Sequence, residues 1–94
     1  MRVRWLRQAE LDLDAAEEYI AKDNPVAAAR VALEIVKAVA CLAHHPGIGR
    51  SGRIPGTKEL VVAGTPYIVP YRIKEESIQV LRVYHTSRKW LHSI

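Results

Sequence analysis

The joint Asp23-Asn24-Pro25 constrains this chain most. Apolar residues recur at helical spacing on both sides of it: Leu6, Ala9, Leu13, Ala16 and Ile20 before, and Ala28, Ala32, Ile35, Val39 and Leu42 after. Asn24 is a good N-cap, and Pro25 at the first helical position lacks only an amide that would have no partner there. So tight a connection forces the two helices back on each other as a hairpin. In the first helix Glu10, Asp14, Glu17 and Glu18 face away from the main stripe, while Leu11, Ala15 and Tyr19 form a second apolar line beside it. The second helix is predicted from about Pro25 to Ala43. Its further line of Ala29, Leu33, Val36, Ala40 and Ala43 implies cover on two sides, by the first helix and by a sheet. Cys41, the one cysteine, is expected to be a buried, inert thiol within this helix.

Elsewhere the period is two. Arg2 to Trp5 suits a short strand before the hairpin. After it, His44-His45-Pro46-Gly47 ends the second helix, and Gly47 to Gly56 forms a Gly/Pro-rich loop holding Arg50 and Arg53. Lys58 to Val62 is a strand, Ala63 to Pro66 a turn, and Tyr67 to Ile73 a strand with Tyr67, Val69, Tyr71 and Ile73 on one face and Arg72 on the other. Ile78 to Tyr84 is apolar on both faces, as a central strand would be. Pro70 lacks a ladder donor and marks an edge or bulge. The order β-α-α-β-β-β predicts an α+β fold, with the helical hairpin packed on one face of a mostly antiparallel four-stranded sheet. Its other face is expected to be open. Residues 1–94 suffice for a single domain and are too few for two cores.

Composition narrows the function classes. The chain is 49% apolar and 26% charged with no biased tract, which excludes disordered and fibrous classes. No apolar run approaches the roughly 20 residues of a membrane helix, and Met1-Arg2-Val3-Arg4 leads into a polar helix rather than a secretory core, so a cytoplasmic protein without a membrane partner is expected. Charge is segregated. Six acids fall within the first 23 residues, whereas residues 44–94 carry eight Lys/Arg, three acids and all four histidines. A basic half of that kind can attract phosphates or an acidic protein segment, and can equally be a solvated face.

The familiar catalytic arrangements are missing. Adjacent helical residues such as His44 and His45 diverge by about 100°, and no cysteine or acid completes a ligand set, so no metal is expected. Ser87 near His85 has nothing to orient the histidine and no oxyanion motif. The Gly47 to Gly56 loop leads into a strand rather than a helix, which argues against nucleotide binding. No cofactor is expected.

Several motifs together resemble the RelE/ParE superfamily of bacterial type II toxin–antitoxin toxins over nearly the whole chain. They are Trp5 and Ala9 opening the first helix, Asp23-Asn24-Pro25-x-Ala27-Ala28 at the joint, Pro46-x-x-Gly49-Arg50, Gly56-Thr57-Lys58-Glu59-Leu60-Val61-Val62, Tyr67-Ile68-Val69-Pro70-Tyr71-Arg72-Ile73, and Leu81-Arg82-Val83-Tyr84-His85-x-x-Arg88-x-Trp90. The resemblance implies a toxin held inactive by a cognate antitoxin.

Two activities occur in that superfamily. Ribonuclease members cut messenger RNA on the ribosome, which requires a base for the attacking 2′-hydroxyl, a cation for the phosphorane and an acid for the leaving oxygen. Such members tend to carry an arginine where this chain has Ile68, and isoleucine cannot stabilise a phosphorane. Glu59, Arg72 and His85 are the candidate catalytic set for a ribosome-dependent ribonuclease, the alternative in which the chain binds nucleic acid directly. The Tyr-Ile-Val-Pro-Tyr-Arg stretch and the His-x-x-Arg-x-Trp tail resemble the ParE branch more closely, although Leu91 replaces the usual proline after Trp90. That branch implies a non-enzymatic poison of DNA gyrase. Arg72, Arg82, His85, Arg88 and Trp90 are then the candidate target contacts. Each has a structural counterpart: Arg72 and Arg82 can pair with Glu59, Glu75 or Glu76, His85 can cap a strand end, and Trp90 can fold back over the sheet. An acidic, amphipathic antitoxin segment is expected across the hairpin and sheet edge, touching Leu11, Ala15 and Tyr19. A degenerate member that only binds its antitoxin is a third reading.

Overall fold

The hairpin forms where the joint predicts it. In the computed structural model, which describes residues 1–87, the chain runs β1 (Arg2–Trp5), α1 (Arg7–Ala21), α2 (Pro25–Cys41), β2 (Arg50–Ser51), β3 (Lys58–Val61), β4 (Tyr67–Lys74), β5 (Ser77–Val80) and β6 (Tyr84–His85). The Asn24 side chain accepts the Ala27 N–H at 3.0 Å, satisfying one of the amides a helix start leaves bare, and Pro25 follows at the first helical position.

The sheet order is β1-β5-β4-β3-β2, with β6 also pairing to β4. All pairs are antiparallel except β1 with β5, the two strands bridged by the rest of the chain. The α+β class and the helical hairpin on one sheet face therefore stand as expected, with six strands rather than four. The two additions have local causes. β2 is a two-residue piece of the Gly/Pro-rich loop, drawn to β3 opposite Lys58 and Glu59. β6 arises because the strand expected over Ile78 to Tyr84 breaks: β5 pairs with residues 71–74 of β4, β6 with 67–68, and residues 81–83 bulge between them.

That break accounts for Pro70. Between the two ladders β4 needs no donor at this position, and Pro70 uses only its carbonyl, which accepts the Leu81 N–H at 2.9 Å. A proline thus sits in the middle of the longest strand.

The core lies between hairpin and sheet. Ala9 and Ala16 of α1 and Val31, Ile35, Val39 and Leu42 at α2 pack with Leu60, Val62, Val69, Tyr71, Ile78 and Val80. Each large side chain so buried contributes roughly 1.5–3 kcal/mol. α2 is covered by α1 and by the sheet as expected, but its further apolar line is a correction: Ala29, Leu33, Val36 and Ala40 are exposed and Ala43 is half-buried, so that line faces away from both. Cys41 is exposed as well, because the same rotation carries it away from the core.

Candidate functional site

The sheet face away from the helices is not bare. Glu59, Ile68, Pro70 and Leu81 alternate onto it and all are buried. Part of the cover is the segment after β2. Glu59 is only 3% exposed. One of its carboxylate oxygens accepts from Nε and Nη2 of Arg50 at 3.2 and 3.1 Å, and the other accepts the Arg53 N–H at 2.9 Å. Nearby, the Tyr71 hydroxyl donates to the Pro46 carbonyl at 2.8 Å and accepts the Gly49 N–H at 2.9 Å. Gly49 is required there, since a Cβ would lie 2.7 Å from the Tyr71 ring and 2.9 Å from the Glu59 carbonyl oxygen. Burial pushes the Tyr71 hydroxyl above its ordinary 10.0, with the Gly49 amide opposing in part.

Between this segment and the start of α1 a cleft of about 600 Å³ remains, lined by Leu6, Gln8, Ile54, Thr57, Arg72, Leu81 and Arg82 among others. Arg72 and Arg82 therefore do share one concave surface, but neither pairs with Glu59, Glu75 or Glu76 as the sequence allowed. Arg72 donates from Nε to Gln79 at 2.6 Å. Arg82 donates to both oxygens of Asp12, at 2.7 and 3.2 Å, and its guanidinium lies 4.9 Å from the centre of the Tyr84 ring. The Asp12 hydrogen bonds hold that guanidinium in its charged form, outweighing the desolvation that acts against it. Burial raises the Tyr84 hydroxyl too, with Arg82 opposing.

The catalytic set Glu59, Arg72 and His85 is not brought together. His85 lies opposite Tyr67. Arg72 is five residues further along the same strand, roughly 16 Å away. Glu59, opposite Pro70, is fully engaged by Arg50 and Arg53. The His85 ring meets Tyr67 edge-on at 5.2 Å, and its Nδ1 accepts the Ser87 N–H at 3.1 Å with the Ser87 hydroxyl 2.8 Å away, a contact confined to the strand end. Arg88 and Trp90 lie outside the described residues.

Leu11, Ala15 and Tyr19 are all exposed on α1, Leu11 at 46% and Tyr19 at 60%. The exposed line of α2 is hidden from the sequence as a surface, because its apolar period alone reads as a second core face. Asp12 was missed for a related reason: an acid among other helical acids carries no sign of a partner 70 residues away. Among the described residues no cluster of metal-ligating side chains occurs, and no helix is long and apolar enough to cross a membrane.

A two-helix hairpin on a mixed sheet, with an arginine-bearing cleft between the start of α1 and the loop before β3, defines the architecture. Residues 3–90 match the family described as the ParE toxin of the type II toxin–antitoxin system parDE, and the chain belongs to that family. It is 48% identical over 89 residues to Y4kP of Sinorhizobium fredii, described as a candidate toxin, covering 95% of this chain and 92% of the relative. It is 34% identical over 87 residues to toxin RelE2 of Caulobacter vibrioides, covering 93% and 97% of the two chains. Among solved structures, a chain of the chromosomal ParDE toxin–antitoxin system of P. aeruginosa superposes with a TM-score of 0.85 at 31% identity, covering 93% of this chain and 97% of that one. A chain of the RelBE2 toxin–antitoxin complex of Mycobacterium tuberculosis gives a TM-score of 0.65 at 29% identity, covering 89% and 95%. The chain is thus a toxin of a type II toxin–antitoxin system.

Proposed function

We propose that this toxin acts by binding DNA gyrase, trapping the enzyme on cleaved DNA, rather than by cutting RNA. The observation that carries the reading is the absence of an assembled acid–base centre among the described residues. Glu59 is buried in its clasp with Arg50, Arg82 is spent on Asp12, and His85 stands apart from Arg72. Ile68, where ribonuclease members of the superfamily tend to place an arginine, is 4% exposed and offers no charge to a phosphorane. Membership in the ParE family supports the same reading. Arg72, His85, Arg88 and Trp90 are the target contacts under this reading, with Arg82 shaping the cleft.

A cognate antitoxin neutralises the toxin by covering the hairpin. Both structural relatives come from toxin–antitoxin systems. Leu11, Ala15 and Tyr19 on α1 supply an apolar strip outside the core, and an acidic partner segment would be steered by the basic half of the chain.

The test is a supercoiling and cleavage assay with purified gyrase, with and without antitoxin, run beside cleavage of ribosome-bound messenger RNA. Double-strand breaks with intact RNA are expected. Cut RNA with unaffected gyrase would overturn the reading.

A further inference from the structure

Four cations stand in two rows on the sheet face away from the helices. Across β1, β5 and β4 the register aligns Arg2 with Ser77 and Lys74, and Arg4 with Gln79 and Arg72. Directly opposed residues share a face, and Val3 and Trp5, which alternate with the arginines, pack against the core. Arg2, Arg4, Arg72 and Lys74 therefore project to the other side. Successive cations on one strand are about 7 Å apart, and β1 and β4 are separated by about 9.5 Å. Arg2, Arg4 and Lys74 are exposed and Arg72 is half-buried. Arg72 is held by the uncharged Gln79, and the ion pairs Arg50–Glu59 and Arg82–Asp12 involve none of the four; Glu75 and Glu76, both exposed, lie in the turn after Lys74, at the end of one row. Four like charges this close repel one another, and a polyanion laid across them relieves the repulsion.

The side chains between the cations select the kind of polyanion. Ser77 and Gln79 occupy the middle column. No aromatic ring stands in either row to stack an unpaired base, which single-strand binders require. No apolar anchor stands there either, as a peptide partner would need for affinity. The Ser77 hydroxyl donates to the Lys74 carbonyl at 2.9 Å, so the uncharged donor left between the cations for a phosphate oxygen is the amide of Gln79, whose own oxygen accepts from Arg72. We propose that this face seats the phosphate backbone of duplex DNA, without reading its bases. The inference goes beyond the gyrase reading and does not depend on it, although a toxin bound to an enzyme–DNA complex would gain a second hold from it.

Fluorescence anisotropy of the full chain with a labelled duplex of about 20 base pairs, across a salt series, tests this without gyrase present. Four phosphate contacts predict a slope of log affinity against log salt of about −3.6, a loss of roughly 100-fold between about 50 and 200 mM. The variant R2Q/R4Q/K74Q leaves Arg72 in place, and its slope should fall to about −1. R30Q/K37Q on the solvent side of α2 should leave the slope unchanged, with circular dichroism confirming both folds. An unaltered slope in the triple variant would overturn the proposal. So would binding to single-stranded DNA or RNA as tight as to duplex, or competition by polyglutamate equal to that by duplex. Failure here with gyrase still poisoned would leave the proposed function standing, and the converse also holds.

Discussion

Asp12 of α1 binds Arg82, 70 residues away in the chain, through both carboxylate oxygens, and the same carboxylate accepts the Val83 N–H at 3.0 Å. One side chain thereby fixes the bulge that ends β5, aims Arg82 along the cleft and ties the hairpin to the sheet. Both partners are largely shielded, at 17% and 13% exposure.

Asp12→Ala strands a shielded guanidinium and a backbone amide together, and should cost about 2–3 kcal/mol in denaturant unfolding. A double-mutant cycle with Arg82→Ala should return a coupling of about 1–3 kcal/mol. Additive effects would mean that the pair is held together by its surroundings.

Tyr71→Phe removes the group that satisfies both the Pro46 carbonyl and the Gly49 amide, and should cost about 1–3 kcal/mol. Burial holds the Tyr71 and Tyr84 hydroxyls above their ordinary 10.0, so the unfolded chain releases these protons first. Their contribution to stability is fully present below about pH 10 and is lost as pH rises through the higher folded values. Unfolding midpoints should fall along that alkaline limb, less steeply in Tyr71→Phe than in the parent.

Glu75 and Glu76 form the β4–β5 turn with φ of 51° and 61°, a left-handed pair that favours Asn-Gly. Each non-glycine residue there costs on the order of 1 kcal/mol. E75N/E76G should therefore stabilise the protein by about 1–2 kcal/mol and raise the melting temperature by roughly 4–8 °C per kcal/mol. No gain in calorimetry would indicate that the acids are held there by interactions that repay the strain.

Leu11→Glu and Tyr19→Glu place charge on exposed apolar positions outside the core. Melting temperature should change little, while antitoxin affinity measured by calorimetry should fall by at least tenfold per substitution, as for truncated interface anchors. Unchanged affinity would move the antitoxin away from α1.

The hairpin, its cap and the four main strands were legible because each rests on local chemistry: helical period, an Asn-Pro joint, and alternation between β-branched and polar residues. What escaped depends on contacts distant in sequence. β2 exists because its Arg50 meets the buried Glu59, and the split of the last strand follows from Asp12 taking the Val83 amide and Pro70 lacking its own. Periodicity also cannot tell a core face from an exposed apolar line, which is why Leu33, Val36 and Cys41 were expected inside. At the site, the cleft brings Arg72 and Arg82 together, and their partners Gln79 and Asp12 follow only from the strand register and the bulge, which the sequence does not reveal.

The most direct test of toxin action is the yield of linear plasmid from purified gyrase with the parent chain, with Arg72→Glu, and with parent plus antitoxin. Arg72 lines the cleft and makes no ion pair among the described residues, so charge reversal there should leave the fold intact. Antitoxin-reversible linear DNA with the parent, reduced at least tenfold in Arg72→Glu, is the expected result. Intact plasmid in every reaction, with messenger RNA cut on ribosomes by the parent chain, would contradict it.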